Sequence, residues 1–274
     1  MNIQEYDHLE VRLDGSVLFV AFNRPKVRNA LNLKMVEELE SLLEVVREEH
    51  SVRCLVLSGN GGHFCAGGDV KDMSKARSQP FQDNEVLNDP IARLNRRFGD
   101  VITKLRHAPQ TVVVVVQGAA MGGGFGLVCA ADFVLAEQNA SFRLPETTLG
   151  LPPAQIAPFL VERIGLISAK KCALTGAKLS GEEALDMKLV DQICEGQAEL
   201  DAALSSLLEN ILKCAPIASR NTKQLLLAIA DGVQSQSEIL DKGALMFAEA
   251  TRSHEGMEGI MAYLQKRPPS WSKS

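Results

Sequence analysis

Apolar positions along the chain change their period several times, and each change marks an element. Runs at 11–13 and 17–22 flank Asp14, Gly15 and Ser16, so strand patterns around turn chemistry predict a hairpin. Leu31, Met35, Leu39, Leu42, Leu43 and Val46 then recur at helical spacing among Glu and Lys, predicting an amphipathic helix over 31–50. A short apolar strand at 54–57 ends in the loop Ser58, Gly59, Asn60, Gly61, Gly62, and 90–107 reads as a helix. The run 111–116 is the strongest strand, and its unbroken apolar character predicts burial on both faces of a largely parallel sheet. A helix at 125–131 and a strand at 133–136 follow. Helices are then predicted over 167–176, 181–188, 200–215, 217–230 and 235–251, interrupted by a strand pattern at 190–194, and Pro268 and Pro269 stop the last helix. The pattern is α/β with a helical final third and no linker between the parts.

Composition narrows the class. With 274 residues, 46% hydrophobic and 23% charged, the chain has ample material for a core and is too apolar for disorder. Its net charge of -5 argues against a general nucleic-acid or anionic-membrane surface, while leaving room for a small basic pocket. Six scattered cysteines without a C-x-x-C pair read as free thiols, mostly buried, in a reducing compartment. Residues 1–5 lack a basic n-region and an apolar h-region, and no stretch approaches the roughly 20 apolar residues of a spanning helix. A cytoplasmic protein without a membrane segment is expected. The five histidines show no metal-ligand spacing, so no metal site is expected.

The glycines do not fit nucleotide fingerprints. Gly122, Gly123, Gly124 and Gly126 miss G-x-G-x-x-G because its third glycine falls at Leu127, and neither a P-loop nor a G-x-S-x-G elbow occurs. Two loops are nevertheless dense in glycine: one runs from His63 through Gly67, Gly68 and Asp69, the other from Gly118 to Gly124. Each follows a strand pattern, so in a parallel sheet both lie at the carboxyl edge, where ligands bind. Glycine permits positive φ and close backbone approach, and two amides from such loops can form an oxyanion hole. Either loop alone reads equally well as tight packing of turn against helix.

A third segment, 140–152 with Pro145, Glu146 and Gly150, follows the second loop. This layout resembles the enoyl-CoA hydratase/isomerase (crotonase) superfamily. The resemblance runs through Asn23, Arg24 and Pro25 to Asn29, Ala30 and Leu31, then Ala66, Gly67, Gly68 and Asp69, the 122–124 turn, Pro145–Glu146, Glu255–Gly256–Met257–Glu258 and the 263–267 segment. It implies a spiral of repeated ββα units with a C-terminal helical subdomain, divided here as 1–200 with the site and 201–274 for trimerisation. It implies homotrimers or dimers of trimers acting on acyl-CoA thioesters, with coenzyme A part of the substrate and no tightly bound cofactor. By position, the amides of Gly68 and Gly123 hold the thioester oxygen. The CoA arm falls to Arg24, Lys26, Ala30, Ala66, Asp69, Val70 and Lys71, and to Tyr263 and Lys266 from a neighbouring subunit.

One member of the pattern is missing. Hydratases of this family generally position water between two glutamates; the second matches Glu146, and the first falls on Gly126, which transfers no proton. Gly126, Leu127 and Val128, together with residues 151–159, resemble bacterial methylglutaconyl- and isohexenylglutaconyl-CoA hydratases. Such substrates carry a second carboxylate, for which Arg143 and Gln155 are candidate partners. Arg143 also reads as a surface or inter-subunit ion-pair residue, and Gln155 as a plain helix-start residue. Hydration with Glu146 as the single carboxylate is the reading carried forward. Δ3,Δ2-enoyl-CoA isomerisation, malonyl-type decarboxylation and an acyl-CoA-binding protein without catalysis stand as alternatives.

Overall fold

In chain order the strands are β1 (Leu9–Asp14), β2 (Val17–Phe22), β3 (Cys54–Gly59), β4 (Thr111–Val116), β5 (Ala119–Met121), β6 (Phe133–Glu137), β7 (Ser141–Arg143), β8 (Lys178–Ser180) and β9 (Gln192–Cys194). The computed structural model describes residues 4–78 and 88–273. Six strands form one sheet in the order β1, β2, β3, β4, β6, β9, antiparallel only at the β1–β2 hairpin, where Gly15 takes φ +55°. A small second sheet joins β5, β7 and β8. β4 is buried on both faces, as its sequence predicts: Val112, Val114 and Val116 join one hydrophobic cluster, Val113 and Val115 the other.

The helices are α1 (Leu33–Arg47), α2 (Val70–Arg77), α3 (Pro90–Arg106), α4 (Gly123–Cys129), α5 (Ala157–Thr175), α6 (Gly181–Asp186), α7 (Gln197–Lys213), α8 (Pro216–Ala230), α9 (Gln236–Arg252) and α10 (His254–Leu264). α1 begins two residues after the expected position because Asn32 caps it, its Oδ1 accepting Met35 N at 3.0 Å, while Leu31 is drawn into a bridge with Gly68. α3 starts with Asp89 as cap and Pro90 in the first turn. α5 starts well before residue 167 and absorbs Gly165 as a break with φ 72° and ψ 162°; its early proline and this glycine masked it in the sequence. Strands of three residues (β5, β7, β8) carry no readable period.

One sheet face packs against α1, α3, α4 and α5, the other against α7 through Leu200, Leu204, Leu207 and Leu208. The 200/201 division therefore falls inside α7. Beyond it, α8 is latched to the amino ends of the strands: Lys223 Nζ donates to Asp132 Oδ2 at 2.6 Å and to the Gln110 carbonyl at 2.9 Å. Arg220 donates to the carbonyls of Glu49 and Val52. Among the described residues no helix is long and apolar enough to cross a membrane.

Candidate active site

The two glycine loops meet at the opposite, carboxyl edge of the sheet. Phe64 N donates to Gln117 O, Cys65 N to Ala119 O and Met121 N to Cys65 O, each at 2.9 Å. Leu31 adds a third segment: its amide donates to Gly67 O and its carbonyl accepts Asp69 N, both at 2.8 Å. Bonds to the residues on either side of Gly68 leave the Gly68 amide itself facing away from Leu31, and Gly68 is exposed. Gly67 sits at φ +94°, and a Cβ there would lie 3.0 Å from Met121 O, so conformation and proximity both require glycine. Gly122, at φ +46°, turns β5 into α4, and the Gly123 amide is the first of that helix. Among the described residues, neither the Gly68 nor the Gly123 N–H donates a hydrogen bond. Free amides of this kind suit an oxygen that gains negative charge.

Glu146 opens a 3-10 turn (Glu146–Leu149) after β7. Its Oε1 would lie 2.9 Å from a Cβ on Gly122, and that same Cβ would be 3.7 Å from Gly67 Cα. The carboxylate thus sits against the junction of the two loops. Glu146 Oε2 is buried without a hydrogen-bond partner. Burial pushes its carboxyl up from the ordinary 4.5, with its own backbone amide opposing more weakly. A half-buried carboxyl of raised pKa with one unpartnered oxygen is suited to take a proton and return it.

Gly126 is buried in α4, and the space beside it is filled: a Cβ there would lie 2.9 Å from Ile156 Cγ1 and 3.1 Å from Ile102 Cδ1. α3 supplies Ile102 to this wall, and Ile156 stands just before α5. Phe98 Cζ lies 3.0 Å from the place of a Cβ on Gly123, and Gln155 Oε1 lies 2.0 Å from that of a Cβ on Gly99, so the Gln155 carboxamide rests in a notch that only glycine leaves open.

Arg24, Ala30 and Asp69 are brought together. Arg24 Nη2 pairs with Asp69 Oδ2 at 3.0 Å, the two side chains being 16% and 14% exposed, and Nη1 donates to the Ala30 carbonyl. Asp69 Oδ1 also accepts Lys71 N, capping α2, of which Val70 is the first residue. Ala66 N donates to Arg28 O at 2.9 Å, and Lys26 and Lys71 are exposed. The Arg143 carbonyl accepts Gly122 N at 2.9 Å, while its Nε donates to Gly176 O at 2.8 Å, at the end of α5. Tyr263, 84% exposed on α10, and Lys266 just beyond it are not among the groups gathered around Glu146. Among the described residues no group of three or more His, Cys, Asp or Glu could hold a metal ion.

Sequence reasoning missed Phe98, Gly99 and Ile102 as site-forming residues, and it met Leu31, Ile156 and Asn29 only as members of segments that carry the resemblance, without the contacts they make. Asn29 is fully buried at φ +57°; its Oδ1 accepts Arg24 N at 2.8 Å and its Nδ2 donates to the carbonyls of Asn60 at 2.9 Å and His63 at 2.7 Å. Besides its place in the segment that carries the resemblance, the signal for Asn29 was an asparagine in a short polar loop, where it tolerates the left-handed region.

Two free amides on loops that meet against one half-buried carboxylate suit an enzyme that polarises a carbonyl and moves a proton next to it. The family model described as enoyl-CoA hydratase/isomerase matches residues 12–274, and the chain belongs to that family, as a hydratase-like enzyme of crotonase fold. It is similar to an enoyl-CoA hydratase/isomerase from Marinobacter aquaeolei, with 44% identity and a TM-score of 0.94 over 97% of this chain and 99% of that one. The solved structure of Pseudomonas aeruginosa AtuE is 45% identical, with a TM-score of 0.92 over 97% of this chain and all of that one (100%). The 2,3-dehydroadipyl-CoA hydratase of Escherichia coli is 31% identical over 93% of this chain and 94% of its own length.

Proposed function

We propose that the protein adds water to a branched 2-enoyl-CoA bearing a second carboxylate, of the 3-methylglutaconyl or isohexenylglutaconyl type, in leucine or acyclic terpene breakdown. The observation that carries this reading is the Glu146 carboxylate, with Oε2 buried and unpartnered, against the junction of the two glycine loops, with the space at Gly126 closed by isoleucine. The amides of Gly68 and Gly123 polarise the thioester carbonyl. Glu146 takes a proton from water as its oxygen bonds to the β-carbon, then gives that proton to the α-carbon as the enolate collapses. One carboxylate closes the cycle, and both additions fall on one face of the double bond. Likeness to a hydratase named for a dicarboxylic thioester supports the second carboxylate in the substrate. Gln155, whose carboxamide lies against Gly99, and Arg143, whose Nε donates to Gly176 O, are the candidate partners for it.

Arg24, Lys26, Ala30, Ala66, Asp69, Val70 and Lys71 border the CoA arm, with Arg24 and Asp69 acting through their mutual ion pair. Tyr263 and Lys266 serve the adenine end of a neighbouring copy's substrate in a homotrimer or dimer of trimers. A second reading, Δ3,Δ2 isomerisation, is favoured by the same lone carboxylate, which would carry a proton from the α- to the γ-carbon.

The test is Glu146→Gln assayed with 3-methylglutaconyl-CoA and longer homologues in deuterated water. Hydration should fall at least about 100-fold. Undiminished turnover removes the proposal, and deuterium at the α- and γ-carbons without net hydration selects isomerisation.

A further inference from the structure

Leu31 touches both halves of the amide pair. Its backbone brackets Gly68, donating to Gly67 O and accepting from Asp69 N, each at 2.8 Å. Its side chain reaches the other half: Cδ1 lies 2.8 Å from where a Cβ on Gly123 would be, so the leucine rests on the Gly123 backbone itself. The residue is buried, and the chain is pinned on either side of it. Asn29 is tied by its side chain to the carbonyls of Asn60 and His63, and Asn32 caps α1 through Met35 N. Leu31 therefore cannot slide along its segment.

We propose that Leu31 is the positioning residue of the oxyanion hole, a spacer whose backbone fixes the Gly68 amide and whose side chain fixes Gly123 relative to it. This rests on the thioester reading above and adds the element that sets the distance between the two donors. Hydrogen bonds to a developing oxyanion lose strength steeply with misplacement, so a shortened side chain at 31 lets Gly123 settle inward and spoils the pair without touching the substrate.

The experiment compares Leu31→Ala, Leu31→Val and Leu31→Met with the native protein. It measures kcat and KM on a 2-enoyl-CoA that the native protein turns over. It also measures the infrared stretch of a 13C-labelled thioester carbonyl in a bound saturated acyl-CoA. For Leu31→Ala, kcat should fall about 100-fold with KM within about threefold, and the carbonyl downshift seen in the native complex should shrink. Leu31→Met, which keeps the reach, should restore most of both. If Leu31→Ala does not fold, Leu31→Val must give the same split. A variant that folds and keeps the full downshift, or that changes KM alone, overturns the spacer role. Absence of any downshift in the native complex overturns the thioester reading, and the spacer with it; a native downshift that survives Leu31→Ala and Leu31→Val overturns the spacer alone.

Discussion

Ile156 occupies the space beside Gly126, its Cγ1 lying 2.9 Å from where a Cβ on that glycine would stand. With Ile102 Cδ1 at 3.1 Å from the same point, the position has neither the carboxylate that the resemblance leads one to expect nor the volume to hold one. Restoring the acid by Gly126→Glu should therefore not raise hydration. It should destabilise the fold by about 1–3 kcal/mol through overpacking alone, with the buried charge adding to that. Urea unfolding and a hydration assay on the same preparation check this, and a faster Gly126→Glu enzyme would refute the packing argument.

The raised pKa of Glu146 makes stability depend on pH in a definite direction. Its carboxyl titrates above 4.5 in the folded chain, so the folded state binds the proton more tightly than the unfolded state. The favourable contribution is present below pH 4.5 and is lost as pH rises through the folded pKa. Glu146→Gln removes the ionisable group, so the variant should melt higher than the native protein at pH 7 to 8, with the gap narrowing toward pH 4.5. Thermal melts across that range decide the matter; a variant less stable at pH 8 than the native protein would show that Glu146 is held by a favourable contact.

Asp132 and Lys223 form a latch whose two halves are unequal. Lys223 is 12% exposed and Asp132 25%, and Asp132 Oδ2 also accepts Val112 N at 2.7 Å. Asp132→Ala strands a buried ammonium and orphans an amide, and should cost about 3 kcal/mol. Lys223→Met leaves Asp132 bonded to Val112 and partly hydrated, and should cost less than about 1 kcal/mol. Chemical denaturation separates the two, and equal losses would mean that the ion pair is not what holds α8.

Cysteine chemistry should be confined to one thiol. Cys54, Cys65, Cys129, Cys172 and Cys194 are buried, and burial pushes Cys54 and Cys65 up to about 12 each, whereas Cys214 is exposed. A maleimide should label the native protein once and the Cys214→Ser variant not at all. A second rapid label, found by intact-mass analysis, would mean that one of the buried thiols opens easily.

Long periodic segments were legible in the sequence: the β1–β2 hairpin, α1, α3 and β4 fall where their apolar spacing puts them. The two glycine loops were legible because a backbone that must approach a ligand or another loop leaves glycine behind; Glu146 stood out only through the resemblance. What could not be read depends on contacts between distant segments. Arg24 looks like a free cation until Asp69 is folded beside it, and Gln155 looks like a helix start until Gly99 opens a notch under it. Leu31 fits the helical period of α1 and is pulled out of it by two backbone bonds to the loop at Gly68. Gly126 announced a missing acid, but its replacement by isoleucine packing is a tertiary fact.

Beside Ile156 just before α5, the wall facing the glycine loops is built by Phe98, Gly99 and Ile102 on α3, none of which belongs to the proposed pair of amides. If the carbonyl-polarising apparatus is that pair of main-chain amides, substitutions at Gly99 and Ile102 reshape what is accepted without rewiring how it is activated, whereas Phe98 rests against Gly123 itself. On that reading recognition and chemistry sit on separate parts of the fold, and a new acyl group would be admitted by editing little more than one turn of a single helix.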